Sequence, residues 1–229
     1  MEGSITHDLE DVALDCAPGR YLVRNAYLQS RRKRCVDVAG ALSIGLVFSP
    51  VIVTAVVILA AQSGPVFFAH ERVGRKGKRF RCYKFRTMVT NADAVLNELL
   101  ENDPESRAEW LRDFKLKKDP RVTRMGRFLR KTSLDELPQL WNVLNGTMSL
   151  VGPRPVVREE LVRYGRGARF YLVNRPGLTG LWQVSGRNDI DYSRRVALDR
   201  AYTENAGFWL DFRIVMRTVW IVLRVKGAY

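Results

Sequence analysis

Asp135 and Glu136 are adjacent carboxylates inside the segment Lys118 to Pro155, KDPRVTRMGRFLRKTSLDELPQLWNVLNGTMSLVGPRP, with arginines on both sides. Arg121, Arg124, Arg127 and Arg130 recur at every third position before the pair, and Arg154 follows it. Phosphates need cationic partners, while a carboxylate can act as a nucleophile or hold a metal ion, so the pattern suits a multiply anionic substrate. A structural reading competes. Ser133-Leu134-Asp135-Glu136 fits the S-x-x-E capping box, in which Ser133 and Glu136 satisfy free amides at the start of the helix containing Leu140, Trp141 and Leu144. Pro138 suits Asp135 as the cap better than Ser133, because a proline in the first turn removes no intrahelical bond. Either register puts both carboxylates at a helix N-terminus, which favours their ionised forms. Part of the arginine series is equally readable as a solvated helix face.

The elements that must position this pair lie on both sides. Pro65 to Met88, PVFFAHERVGRKGKRFRCYKFRTM, reads as two β-prone runs joined by a turn in which Gly74 and Gly77 supply permissive backbone. Arg72, Lys84 and Arg86 of this hairpin either line an anion site or lie on acidic lipid headgroups. Thr90 to Glu101 carries Leu96, Leu99 and Leu100 at helical spacing, and Asp103-Pro104 opens a second short helix through Trp110. Both read as scaffold, with Glu98, Glu101 and Glu105 on a solvated face.

The chain has 229 residues and a formal net charge of +14, which suits one domain and an anionic partner: nucleic acid, an acidic membrane face or phosphorylated substrates. Cys16, Cys35 and Cys82 are an odd number without a CxxC, the pattern of reduced thiols rather than a disulfide framework or a zinc site. No GxGxxG or Walker A pattern is present in the sequence, so neither a Rossmann site nor a P-loop is supported.

From Val38 to Ala61 the chain carries no charge. A straight helix of that length at ~1.5 Å per residue would measure roughly 36 Å, enough to cross a bilayer. Ser49-Pro50 in its middle predicts a break, since proline removes a hydrogen bond and clashes with the preceding turn. Both flanks are basic, Arg31 to Arg34 before and Arg72 to Arg81 after, so the two ends are most easily satisfied on the same side. The reading is a re-entrant helix-break-helix in which Ser49 satisfies a carbonyl freed by Pro50. An ordinary anchor helix, a signal sequence and a buried soluble helix are the alternatives. Residues 1–30, acidic and poor in registered apolar positions, read as a mobile extension.

In the last third, RPGLTGLWQVSGR sets Trp182 and Gln183 among glycines that allow either close approach to a ligand or tight turns. Phe208 to Val225 places Arg213, Arg217 and Arg224 within about 40° of one another at 100° per residue, a narrow basic stripe on an otherwise apolar, interfacial helix. Asp211 falls away from that stripe, so it is either paired in the interior or part of the site. The same choice holds for Asp199 with Tyr202.

Four segments in this order, RCYKFRTM, the Lys118 to Pro155 run, RPGLTGLWQVSGR and LDFRIVMRTVWIVLRVKGAY, resemble the bacterial sugar transferases, the monotopic polyprenyl-phosphate phosphoglycosyl transferases. The likeness runs from Arg31 to the C-terminus and takes Ser49-Pro50 as the family's helix break. It implies transfer of a hexose 1-phosphate from a UDP-sugar to undecaprenyl phosphate with release of UMP, the first membrane step of exopolysaccharide synthesis. By the same match Asp135 attacks the β-phosphate to form a phosphosugar-aspartyl intermediate. Glu136 assists as base or metal partner, and Mg²⁺ on Asp135 and Glu136 neutralises the diphosphate. Arg72, Lys84, Arg130 and Arg154 become the anion contacts, and Gln183, Arg187, Asp199 and Asp211 candidates for the nucleotide or sugar pocket.

With no multi-span region ahead of this core, the nearest likeness is to short exopolysaccharide-initiating members, with galactose the leading sugar and glucose next. The expected fold is α+β, mainly helical: a re-entrant hairpin over 31–64, a catalytic domain over 65–207 facing the cytoplasm from the bacterial inner membrane, and an interfacial helix over 208–229. Its expected partners are the UDP-sugar, undecaprenyl phosphate and membrane lipid, not nucleic acid, with homo-oligomerisation left open. The rival readings are a membrane-anchored basic protein binding nucleic acid or anionic lipid, and a glycosyltransferase that releases UDP. The first lacks a recognition motif or aromatic platform in the sequence.

Overall fold

The computed structural model describes residues 25–113, 116, 118–186 and 191–224. Most of the expected N-terminal extension lies outside these residues. Its last part is docked: Asn25 caps the short helix α1 (Ala26–Gln29), and its Nδ2 donates to the Ala206 carbonyl at 3.0 Å.

Ser30 then caps α2 (Arg31–Val47), its Oγ accepting from the Lys33 amide at 3.1 Å. After Phe48 the chain bends by 64° into α3 (Ser49–Ala60). The cause is local: Pro50 has no amide to give the Leu46 carbonyl four residues earlier, and the Ser49 hydroxyl donates to that carbonyl at 2.8 Å. Among the described residues no single helix is long and apolar enough to cross a membrane, while the bent pair passes on length and composition together. The tip of the bend is apolar and exposed, Leu46 at 77% and Val47 at 72%.

The basic run before this pair divides its labour. Arg31 and Arg32 are exposed, but Lys33 is buried and Arg34 donates to the Val143 and Leu144 carbonyls at 2.5 and 2.8 Å, closing the end of a helix further along the chain.

β1 (Phe67–Val73) and β2 (Arg79–Phe85) form the expected antiparallel hairpin, with Phe68 opposite Lys84 and Arg72 opposite Phe80. Its turn uses left-handed backbone at Lys76 and Gly77, which the glycine adopts at little cost. Arg86 departs from the anion-site reading: its guanidinium donates to the Ser63 and Leu59 carbonyls at 2.6 and 3.4 Å, so it ties down the end of α3. α4 (Ala92–Asn102) and α5 (Pro104–Asp113) are the two scaffold helices, and Glu98, Glu101 and Glu105 are solvated as expected.

α6 (Arg124–Lys131) starts at a Thr123 cap, and α7 (Gln139–Leu144) follows the acidic pair. A second, parallel sheet joins β3 (Ser149–Val151) to β4 (Gly177–Thr179). The sequence reading contained no strand there. It forms because two glycines let the backbones meet: a Cβ on Gly177 would stand 2.1 Å from the Gly152 amide nitrogen. Those glycines therefore serve close chain packing.

α8 (Arg158–Val162), α9 (Ala168–Leu172), α10 (Tyr192–Asn205) and α11 (Phe208–Leu223) complete the fold, mainly helical with two small sheets. The main core draws Ala41, Val143, Met148, Val151, Tyr202 and Ile214 from α2, α7, the β3 region, α10 and α11. α11 divides its circumference three ways at about 100° per residue. One face is buried around Ile214, the basic stripe is exposed, and Trp209, Phe212, Met216 and Trp220 form an exposed apolar face beside it.

Candidate active site

Asp135 and Glu136 lie in a 3-10 turn, Leu134–Glu136, between α6 and α7. The capping-box reading is corrected here. Ser133 has φ of 58°, in the left-handed region, and caps nothing with its side chain, whereas an N-cap needs extended backbone to aim its oxygen at the first amides. The left-handed kink turns the chain sharply out of α6, and α7 begins only after Pro138. The carboxylates thus sit a turn ahead of α7, and their partners are side chains rather than helix amides.

Those partners come from β2. Lys84 Nζ lies 2.7 Å from Glu136 Oε1 and 3.3 Å from Asp135 Oδ2. The distance is set by Asn142, fully buried on α7. Its Nδ2 donates to the Arg81 carbonyl at 2.7 Å and its Oδ1 accepts from the Tyr83 amide at 3.0 Å, so its side chain imitates a neighbouring strand along β2. Asn142 is a residue that the sequence analysis did not single out. Its signal would have been an amide side chain on the apolar face of a short helix.

α6 adds a second cation. Gly126 passes so close to Thr87 that a Cβ would fall 1.9 Å from the Thr87 carbonyl oxygen, and this approach lets Arg130 Nε donate to Thr87 Oγ1 at 2.9 Å. From there Arg130 acts electrostatically on Asp135. Arg154 acts on Glu136, Lys84 and Arg72, and Arg72 is half-buried in β1 beside it. Of the four expected anion contacts, Lys84, Arg130 and Arg154 act on one or both acids of the pair, and Arg72 meets Arg154 rather than the pair. Of the upstream arginine series, Arg124 and Arg127 are solvated and Arg121 pairs with Asp119 at 2.7 Å.

The electrostatics separate the two acids. Burial holds Asp135 above the ordinary range of an aspartate, and the charge of Glu136 adds to this against the pull of Lys84 and Arg130. Burial also pushes Glu136 up, but Lys84, Arg154 and a hydrogen bond from Gln139 outweigh it and hold that carboxyl low. Among the described residues Asp135 accepts a hydrogen bond from Lys84 alone. One carboxylate is an anchored anion that fixes Lys84; the other is a buried, weakly solvated oxygen acid.

The pocket candidates do not gather there. Asp211 is an interior charge, paired with Lys33 at 2.8 Å and accepting from the Tyr27 and Tyr202 hydroxyls, both at 2.9 Å. Asp199 is buried and accepts from Tyr164 rather than Tyr202, at 2.8 Å; burial pushes its carboxyl up to about 7. Gln183 reaches the Leu178 carbonyl at 3.3 Å, and Arg187 lies outside the described residues.

Asp135 and Glu136 supply hard oxygen donors, and no group of three or more metal-binding side chains occurs among the described residues. Two carboxylates fit Mg²⁺, which is commonly held by one or two such groups with substrate phosphates completing its shell.

Residues 28–225 match the family model described as bacterial sugar transferase. The chain is 53% identical over 197 residues to the UDP-galactose-lipid carrier transferase of Erwinia amylovora, covering 86% of this chain and 41% of that protein. Identity is 55% over 197 residues to the undecaprenyl-phosphate galactose phosphotransferase of Salmonella typhimurium, with the same coverage. It is 48% over 198 residues to the exopolysaccharide production protein ExoY of Rhizobium meliloti, covering 86% of this chain and 88% of that one. The chain thus spans about two-fifths of the length of the first two relatives and most of the third.

Proposed function

The chain belongs to the bacterial sugar transferases, and from that membership we propose that it moves galactose 1-phosphate from UDP-galactose to undecaprenyl phosphate, with Asp135 as the covalent carrier. The observation that carries this reading is the state of Asp135: buried, held by a single lysine, and drawn on by the charges of Lys84 and Arg130, with Arg154 acting on the adjacent Glu136.

In the first step an Asp135 oxygen attacks the β-phosphorus of the donor. The bond between that phosphorus and the bridging oxygen breaks, and UMP leaves with the bond's electron pair. Lys84, Arg130 and Arg154 spread the charge of the diphosphate, and Arg72 adds to the same field. In the second step an oxygen of undecaprenyl phosphate attacks the same phosphorus and returns Asp135 to the carboxylate. Both acceptor and leaving group are already anionic, so no proton need move; Glu136 holds Lys84 in place. Mg²⁺ bound by the two carboxylates would supply further neutralisation of the diphosphate.

The lipid acceptor explains the bent helix pair. With its apolar tip exposed and both ends returning to the protein, α2 and α3 enter one leaflet, and the exposed apolar face of α11 lies at the same boundary. The catalytic residues then face the cytoplasm, the side that holds UDP-sugars. Galactose as the sugar rests on the galactose-transferring relatives named above.

Incubation of the full chain in detergent micelles with UDP-galactose labelled in the sugar should leave label on the protein, and Asp135→Asn should abolish both labelling and UMP release. Full activity in that variant would overturn the nucleophile. A panel of UDP-sugars assayed for UMP release tests the sugar, and excess EDTA tests the metal.

A further inference from the structure

Five buried side-chain polar atoms lack a partner among the described residues, and four of them belong to three residues: Trp182 Nε1, Gln183 Oε1, and Nε and Nη2 of Arg195. Orphaned donors on an arginine are costly, because a guanidinium presents fixed N–H groups and cannot shed its proton. Arg195, in the first turns of α10, is held firmly all the same. Its Nη1 donates to Glu160 Oε1 at 2.6 Å, and its Cζ stands 4.7 Å from the centroid of the Trp182 ring. Arg154 approaches the same ring at 6.0 Å and acts on Glu136. Trp182 therefore joins the orphaned donors to the cations around Asp135.

We infer that Arg195 and Trp182 bind the neutral oxygen acceptors of the sugar-nucleotide donor, beyond its diphosphate, through the Arg195 Nε and Nη2 and the Trp182 Nε1 donors. This rests on the proposed function. Neutral acceptors fit better than another phosphate because Glu160 and Asp199 already balance the charge of Arg195. Trp182 is buried and Arg195 stands over its ring, so the polar group it has left to offer a ligand is its unpaired indole N–H. Two parts of a UDP-sugar carry this chemistry: the uridine, through its uracil carbonyls and ribose hydroxyls, and the hexose, through its hydroxyls.

The test uses the full chain in detergent micelles carrying Asp135→Asn, so that donor binds without turnover, with UDP-galactose and UMP titrated by calorimetry. Arg195→Lys keeps a charge for Glu160 but deletes both orphaned donors. It should weaken UDP-galactose about 10-fold at an unchanged melting temperature. If UMP weakens in parallel, the acceptors are on the uridine; if UMP is unaffected, they are the hexose hydroxyls. Unchanged UDP-galactose affinity in the folded variant overturns the inference. Should Arg195→Lys fail to melt cooperatively, Trp182→Phe, which removes only the indole donor, carries the same expectation and the same refutation. If the parent Asp135→Asn chain does not bind UDP-galactose at all, the proposed function itself falls, and this inference with it.

Discussion

Two lysines in this protein each hold a pair of carboxylates, and they differ in how completely the acids are satisfied. Lys33 bridges Asp37 and Asp211 at 2.8 Å each. Asp37 also accepts from Ser149 Oγ at 2.9 Å and the Leu150 amide at 3.1 Å, while two tyrosine hydroxyls complete Asp211. Lys84 bridges Asp135 and Glu136, but Asp135 takes nothing else from the described residues, and the lysine side chain is 30% exposed against 4% for Lys33. The first triad is closed and locks α2 to β3 and α11. The second is open on one acid, which leaves an oxygen free for chemistry. A saturated buried network rigidifies a fold; the same charges with an acceptor left open make a reactive site.

Breaking the closed triad should have the largest effect on folding. Lys33→Met leaves two buried carboxylates uncompensated, a loss of about 3–5 kcal/mol, and thermal melts of the purified chain should show it. Lys84→Met should melt near the parent temperature while UMP release falls about 100-fold, the usual cost of removing one charge-stabilising donor. It also removes the cation that lowers both acids, so the acid limb of the pH–rate profile should move to higher pH.

Asp135→Asn sharpens the contrast from the other side. The folded carboxyl is raised, so its favourable contribution exists only below the unfolded value near ~4 and is lost as pH rises. The variant should therefore be more stable than the parent at neutral pH, by about 1 kcal/mol, and the gain should vanish in acid. The effect that appears only as a slope across pH belongs to Asp199, a buried acid with a tyrosine partner and no lysine. With its carboxyl at about 7 in the fold, stability should decline as pH climbs from ~4 towards 7, by at most about 1.4 kcal/mol per pH unit. Asp199→Asn should flatten that slope in melting curves taken across the range.

Adjacency alone placed Asp135 beside Glu136, and the local rules of proline and glycine located the break at Pro50 and the turn between β1 and β2, because such effects act within a few residues. The family was legible in motif order for the same reason: a motif is a local string. What no local rule reaches is which charge meets which. Arg86 caps a helix, Arg34 closes α7, Lys33 locks the interior, and Lys84 alone of these joins the acidic pair. Nothing in their residue types separates them. Asp211 and Asp199 were likewise undecided until burial enclosed them, and the β3–β4 pair arises from two distant glycines meeting. These outcomes were decided by the tertiary structure because the energy of a charge depends on how much water and how many donors surround it, and those neighbours are brought in from far along the chain.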